Sequence, residues 1–384
     1  MKTGEMKKLK YFIKGFFDGP HATPKDSETG AIFLGIKNVT EDGRLDLTEI
    51  RHIAEEDMPR WTKRVTPQAG DIVFSYEATL HRYAMIPKGF YGCLGRRMAL
   101  LRVDEDKADK KFLLHYFLSP FWRTEVEKNI LSGATVDRIP LTKVPDFEVN
   151  LPELPTQKRI ASILTAYDDL IENNLKRIKL LEESLQLVYE ITSNHKDVKE
   201  KLVYPEYCNF IKGSEPGSDN YTDNNVEKNT PFLRVGDLGA RNSEIFVDSK
   251  LNGLKFTKKD DILVSLDGTI GIVRIGMEGA YSSGIRKVVC NNSLFKGFTY
   301  AFLKSINGQN QIKTYAKGST ILHASSAIPK LKFRIAINSD TEVLLNELNS
   351  MLVLIINLTE QNDKLKQSRD ILLPRLMSGT INVA

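Results

Sequence analysis

Cysteine is scarce in this chain of 384 residues, and what there is does not cluster. Cys93, Cys208 and Cys290 are odd in number and far apart, so they offer neither a disulfide framework nor a C-x-x-C zinc site, and a reducing compartment fits. Long apolar runs are missing as well. The longest, Met351 to Ile356, is far too short to span a bilayer, and the N-terminal MKTGEMKKLK has no signal-peptide core. The expectation is a cytoplasmic protein with no membrane partner. Charge of one sign is also lacking: 54 Lys+Arg against 49 Asp+Glu leave +5, which permits an anionic partner without demanding one.

Catalytic motifs are equally absent. No G-x-x-x-x-G-K-[ST] loop and no G-x-G-x-x-G turn is present. His21, His52, His81, His115, His195 and His323 have no metal-ligand spacing, and an N-P-P-Y or D-P-P-Y run that would grip a target base is missing. Pro145-Asp146 with Glu148 faintly resembles a nuclease carboxylate cluster but lacks the Lys that should follow, and Val144, Phe147 and Val149 alternate as a strand would. Together these absences favour a binding protein over an enzyme, with no catalytic residue and no metal site.

What is present is a long helical seam. From Leu151 to Thr192, Ile160, Leu164, Tyr167, Ile171, Asn174, Ile178, Leu181, Leu185 and Val188 recur in steps of three and four, the a/d spacing of a coiled coil. Thr156 after Pro155 is the expected N-cap, and about 36 residues would make a rod of roughly 54 Å.

The two halves of the chain resemble each other. FIKGFFDG (Phe12 to Gly19) matches FIKGSEPG (Phe210 to Gly217), AIFLGIKNV matches PFLRVGDL, and GDIVFSYEATL matches DDILVSLDGTI. SGATVDRI then matches KGSTILHA, and VPDFEV matches IPKLKF, in the same order. A helical stretch between Lys111 and Asn129 follows the β-like runs of the first half. The expected layout is a mixed α+β domain over 1–150, a helix over 151–195, a second such domain over 196–338 and a closing helix with tail over 339–384.

The closing helix has a capping box, Ser339 to Glu342, and should stop near Leu373 at Pro374. Its seam is Leu348, Met351, Ile355, Leu358, Asn362, Leu365, Arg369 and Leu372. Antiparallel packing with Asn174 opposite Asn362 sets Leu164 against Leu372, Tyr167 against Arg369, Ile171 against Leu365 and Ile178 against Leu358. Leu181 then meets Ile355, Leu185 meets Met351 and Val188 meets Leu348. A buried Asn pair penalises slipped registers; the alternative is that both amides sit at the seam's edge and meet water.

Basic, flexible segments are the remaining signal. Thr23 and Lys25 lie in HATPKD, and Arg82, Lys88, Arg96 and Arg97 fall around PKGFYGCLGRR. Their second-half counterparts are Arg286 and Lys287 after YSSG, and Lys317, Ser319, Thr320 and His323 around KGST. Such side chains neutralise phosphates, grip guanine or follow base edges.

LPELPTQKRIASIL with the DDLIENN helix, and LKQSRDILLPRLMSGTI at Leu365 to Ile381, resemble the conserved regions of specificity subunits of type I restriction-modification systems. The resemblance covers essentially the whole chain. It implies two target recognition domains separated by two long helices packed as an intramolecular antiparallel coiled coil, a pseudo-twofold internal repeat. Each domain would read one half of a bipartite double-stranded DNA target. The partners implied are two methyltransferase subunits that methylate adenine N6 from S-adenosylmethionine, and translocase-nuclease subunits driven by ATP with Mg. No cofactor is expected on this chain. One departure from the family pattern is Ala78, where the second half has the Gly of DGT. The competing expectation is a non-catalytic coiled-coil adaptor whose domains bind protein; a self-sufficient methyltransferase or nuclease would need a motif that is missing.

Overall fold

The strand order of the first half recurs, element by element, in the second. The structure, a computed structural model, describes residues 5–131, 136–194, 198–240, 243–318, 322–335 and 341–383. It divides into two units, Met1–Leu170 with Leu365–Ala384, and Ile171–Lys364.

In the first unit Ile13–Asp18, Met98–Val103, Ile72–Ser75 and Tyr83–Met85 form a four-stranded antiparallel sheet in that order. Arg51–Ile53, Ala31–Leu34 and Gly92–Leu94 form a three-stranded one. In the second unit Cys208–Lys212, Ile285–Cys290, Ile262–Ser265 and Val273–Arg274 repeat the first sheet. Phe246–Asp248, Asn229–Leu233 and Gly279–Tyr281 repeat the second, with Phe256–Thr257 added at its edge. A two-stranded ribbon closes each unit, Met6–Lys8 with Glu148–Asn150 and Lys199–Leu202 with Lys332–Ile335. The α+β expectation holds.

Each unit also has a helix pair. Lys110–Leu118 begins at Asp109, whose carboxylate accepts from the Phe112 N–H. The helical stretch expected from Lys111 to Asn129 is broken, because Pro120 starts a new helix, Pro120–Glu127, as its first residue. The second unit breaks at the same place, where Ser305 caps Ile306–Thr314. The strand expected from Val144 begins later: Val144–Asp146 is a 3-10 turn that Pro145 favours, and Glu148–Asn150 is the strand.

Strand pairing corrects the alignment of the two FIKG runs. Phe16 faces Leu101 and Phe210 faces Val288, while Ile72 faces Leu101 and Ile262 faces Val288. Phe16-Phe17-Asp18-Gly19 is therefore equivalent to Phe210-Ile211-Lys212-Gly213, four residues on from the match by identity. Both glycines are needed for close approach. A Cβ on Gly19 would lie 2.6 Å from the Gly95 carbonyl oxygen, and one on Gly213 2.1 Å from that of Ser282.

The long helices are Leu154–Ser193 and Thr341–Met377. The first starts before the expected cap: Thr156 is already inside it, with its N–H on the Glu153 carbonyl, since Pro155 needs no donor in a first turn. The second runs past Pro374, because Leu373 and Leu376 are buried in the first unit's core and hold the extra turn. Gly379, at φ +73, ends it, its N–H reaching the Leu376 carbonyl. Of the expected capping box, Ser339 and Asp340 lie outside the described residues. The helices are not separate domains, because each belongs partly to both units. Ile160, Ala161 and Leu164 join the first core, and Ile178, Leu185 and Tyr189 join the second with Leu345, Leu348, Leu352, Ile355 and Leu358. Full burial of each Leu and Ile among them contributes roughly 1.5–3 kcal/mol.

Leu164, Ile171, Ile178, Leu185, Ile355 and Leu358 are buried, and Leu181, Met351, Leu365 and Leu372 are half-buried. The Asn174 amide is buried and donates to the Asn362 carbonyl oxygen at 3.0 Å, which excludes the water-facing alternative. In the layer expected to pair Tyr167 with Arg369, Arg369 is buried and forms an ion pair with Asp168 at 2.8 Å, because a guanidinium in an apolar seam requires a carboxylate.

Candidate nucleic-acid interface

Each unit carries a polar rim where the hairpin of its four-stranded sheet turns back. In the second unit the turn after Ile262–Ser265 is held by Ser265, whose hydroxyl donates to the Thr269 carbonyl at 2.6 Å and accepts from the Ile272 N–H at 2.8 Å. Gly268 and Gly271 take φ +72 and +83, and the Gly268 N–H bonds the Leu322 carbonyl. This brings Asp267 against His323, with Oδ1 2.7 Å from Nδ1. Arg286 lies below, 3.7 Å from Asp267, and donates to the Ser283 carbonyl and to the Ser325 hydroxyl. Lys212 and Arg234 complete the basic lining of a cleft of about 700 Å³, and Glu215 ties the Ser283 N–H and hydroxyl across it.

The first unit repeats this turn with other side chains. Ser75 donates to the Thr79 carbonyl, and Ala78 and His81, equivalent to Gly268 and Gly271, take φ +70 and +60. With Arg97 at φ +68 they are the only non-glycine residues of positive φ among the described residues, and all three lie at this rim. Backbone strain concentrated in one place marks functional loops. Glu77, equivalent to Asp267, lies 2.8 Å from Arg97 and 4.0 Å from Arg138. Beside it Asp18 binds Arg64 at 2.5 Å and His21 at 3.0 Å, and Arg138 lies over the Tyr76 ring. Burial raises the Tyr76 phenol above its ordinary pKa, so it stays a neutral hydrogen-bonding group.

The expected contact residues divide accordingly. Thr23 and Lys25 are exposed in the loop leaving this rim, Arg96 is exposed next to Arg97, and Arg82 closes the hairpin with an ion pair to Glu41 at 2.6 Å. His323 and Lys317 are joined by backbone hydrogen bonds at the second rim. Arg286 is not a surface cation but the buried floor of the cleft. Lys287 is not at the rim. Strand alternation turns it to the other face, where it pairs with Asp261 at 3.4 Å. Lys88 follows Tyr83–Met85 at the opposite end of the hairpin. Ser319 and Thr320 lie outside the described residues. Asp18, Arg64, Glu77, Arg138, Lys212, Arg234 and Asp267 were not expected; the acidic residue before Ala78-Thr79 and Gly268-Thr269 in both repeats was the signal that could have found two of them.

Comparison with known proteins gives these rims a context. The model of the type I restriction modification DNA specificity domain matches residues 25–183 and 205–337. The putative type I restriction enzyme MjaX specificity subunit of Methanocaldococcus jannaschii is 26% identical over 300 residues, 71% of this chain and 68% of the relative. The type I restriction enzyme MjaIX specificity subunit of the same organism is 23% identical over 97% of this chain and 89% of its own length. The crystal structure of the type I restriction-modification S subunit from M. genitalium shares the fold at a TM-score of 0.52 and 16% identity, covering 98% of this chain and 96% of that one. With both repeats matched by the same domain model, the chain belongs to the family of type I restriction-modification DNA specificity subunits.

Proposed function

We propose that each unit reads one half of a bipartite double-stranded DNA target. The observation that carries this reading is the duplicated rim: the same turn, in the same sheet, with a carboxylate between two basic groups in each unit. Arg and Lys neutralise phosphates, and Arg, His and carboxylates read base edges. Different side chains on equivalent turns suit two different half-sites.

In this reading the chain carries no catalytic group. It brings two methyltransferase subunits to the DNA, which transfer methyl from S-adenosylmethionine to adenine N6, and with translocase-nuclease subunits using ATP and Mg it also directs cleavage. The long helices supply the docking surface for the methyltransferases and set the spacer between half-sites. The test is a genome-wide map of adenine methylation with and without the chain, in cells holding the partner subunits. Loss of one bipartite motif is expected. An unchanged map would overturn the reading in favour of a protein-binding adaptor, and a helix insertion that changed the half-sites rather than the spacer would overturn the role of the helices.

A further inference from the structure

The two rims share a backbone but not a chemistry, and the difference is concentrated in one pair. Glu77 and Asp267 occupy equivalent turn positions, and each forms a backbone bridge with a basic residue from the segment after the helix pair, Arg138 and His323. The surroundings match: Ile139 bonds the Tyr76 carbonyl as Ala324 bonds that of Leu266, and Ala78 bonds the Asp137 carbonyl as Gly268 bonds that of Leu322. Exposure matches too. The carboxylates are 20% and 21% exposed and their basic partners 51% and 60%. In both units the acid lies beneath and the base is presented outward.

We propose that Arg138, held over the Tyr76 ring at 4.0 Å from Glu77, and His323, oriented by its hydrogen bond to Asp267, are equivalent specificity-determining residues, each reading one base pair of its own half-site. The inference rests on the bipartite reading above. Arg138 is donor-only and forked, so its ligand is the O6 and N7 edge of a guanine in the major groove. The Nδ1 of His323 faces Asp267, which leaves Nε2 as a single outward group that makes one hydrogen bond. The first half-site therefore contains a strictly required guanine, and the second a position read with less stringency. A purely structural pair would be sealed by protein; these bases face outward, bridged to strained or glycine-bearing turns that carry the acids.

The experiment maps adenine methylation by the assembled complex carrying the full chain as wild type, Arg138→Ala, Arg138→Lys, or the exchange pair Asp267→Glu with His323→Arg. Arg138→Ala should make one guanine of the first half-site degenerate, with about a ten-fold loss of discrimination there, and leave the second half-site intact. The exchange pair should leave the first half-site intact and impose a strict guanine at one position of the second. Unchanged motifs in both variants overturn the proposal. So does weaker methylation at every site with the motif preserved, which marks a phosphate contact, and so does loss of methylation in both Arg138 variants with a lowered melting temperature, which marks a structural role. If the wild type yields no bipartite motif, it is the bipartite reading itself that fails.

Discussion

Asn174 donates its side-chain amide to Asn362 at 3.0 Å inside an otherwise apolar helix seam, and the Asn362 amide in turn reaches the Ile171 carbonyl at 3.4 Å. Each amide is satisfied only by the other helix, so the pair specifies register more than it adds stability. Replacing one partner leaves a buried polar group without its bond. Asn362→Leu should cost about 1–3 kcal/mol, and Asn174→Leu a similar amount. The double substitution should recover most of that loss, and a double-mutant cycle measured by denaturant unfolding would detect the coupling. Additive losses would mean that the two amides act independently.

Ala78 and Gly268 are equivalent, equally exposed, and share a left-handed backbone at φ +70 and +72. An L side chain there costs about 1–2 kcal/mol, partly offset because alanine restricts the unfolded chain by about 0.4–1 kcal/mol. Ala78→Gly should therefore stabilise the first unit slightly, by about 0.5–1 kcal/mol, and Gly268→Ala should destabilise the second by about as much. Nothing lies within 4 Å of a Cβ built on Gly268, so the cost would be conformational rather than steric. Opposite shifts in melting temperature for the two variants are the expected result.

The repeat and the Asn layer were legible because both are periodic: segments recur in order, and the seam keeps its three-four spacing across its whole length. Element ends were less legible. Pro374 reads as a stop, yet tertiary burial of Leu373 and Leu376 carries the helix through it to Met377. Identity misled where pairing decides: FIKG at Phe12 and at Phe210 look alike, but Phe16 is the true equivalent of Phe210. At the candidate interface, residue type alone could not tell Arg286, buried under the cleft, from Lys287, which is turned to the opposite face of the same strand. Nor could it place Lys88 at the far end of its hairpin. The pairing of Asp267 with His323 and of Glu77 with Arg138 is closed across 56 and 61 residues, a long-range contact that no local pattern displays.

His115 sets a pH dependence for the first unit. It sits 3% exposed in the helix Lys110–Leu118, and burial, with the charges of Arg369 and Lys111 adding to it, pulls its pKa from 6.5 down to about 3. Asp168 lies 3.5 Å away but is engaged by Arg369 at 2.8 Å, so the imidazole stays neutral. Between pH 6.5 and 3 the unfolded chain binds a proton at this residue that the folded chain refuses. The stability is thus complete above 6.5 and lost as the pH falls, at about 1.4 kcal/mol per unit. His81, also lowered by burial, adds in the same direction. Asp168, whose pKa is raised by burial, acts in the opposite sense above the ordinary carboxylate value of 3.8. Trp61 and Trp122 are the chain's two tryptophans, and both lie in this unit, so their fluorescence during urea unfolding reports on it alone. Between pH 7.5 and 5.5 the wild type should lose about 1.4 kcal/mol more than His115→Leu, which has no proton to bind. Equal losses in the two proteins would show that His115 already titrates in the folded state.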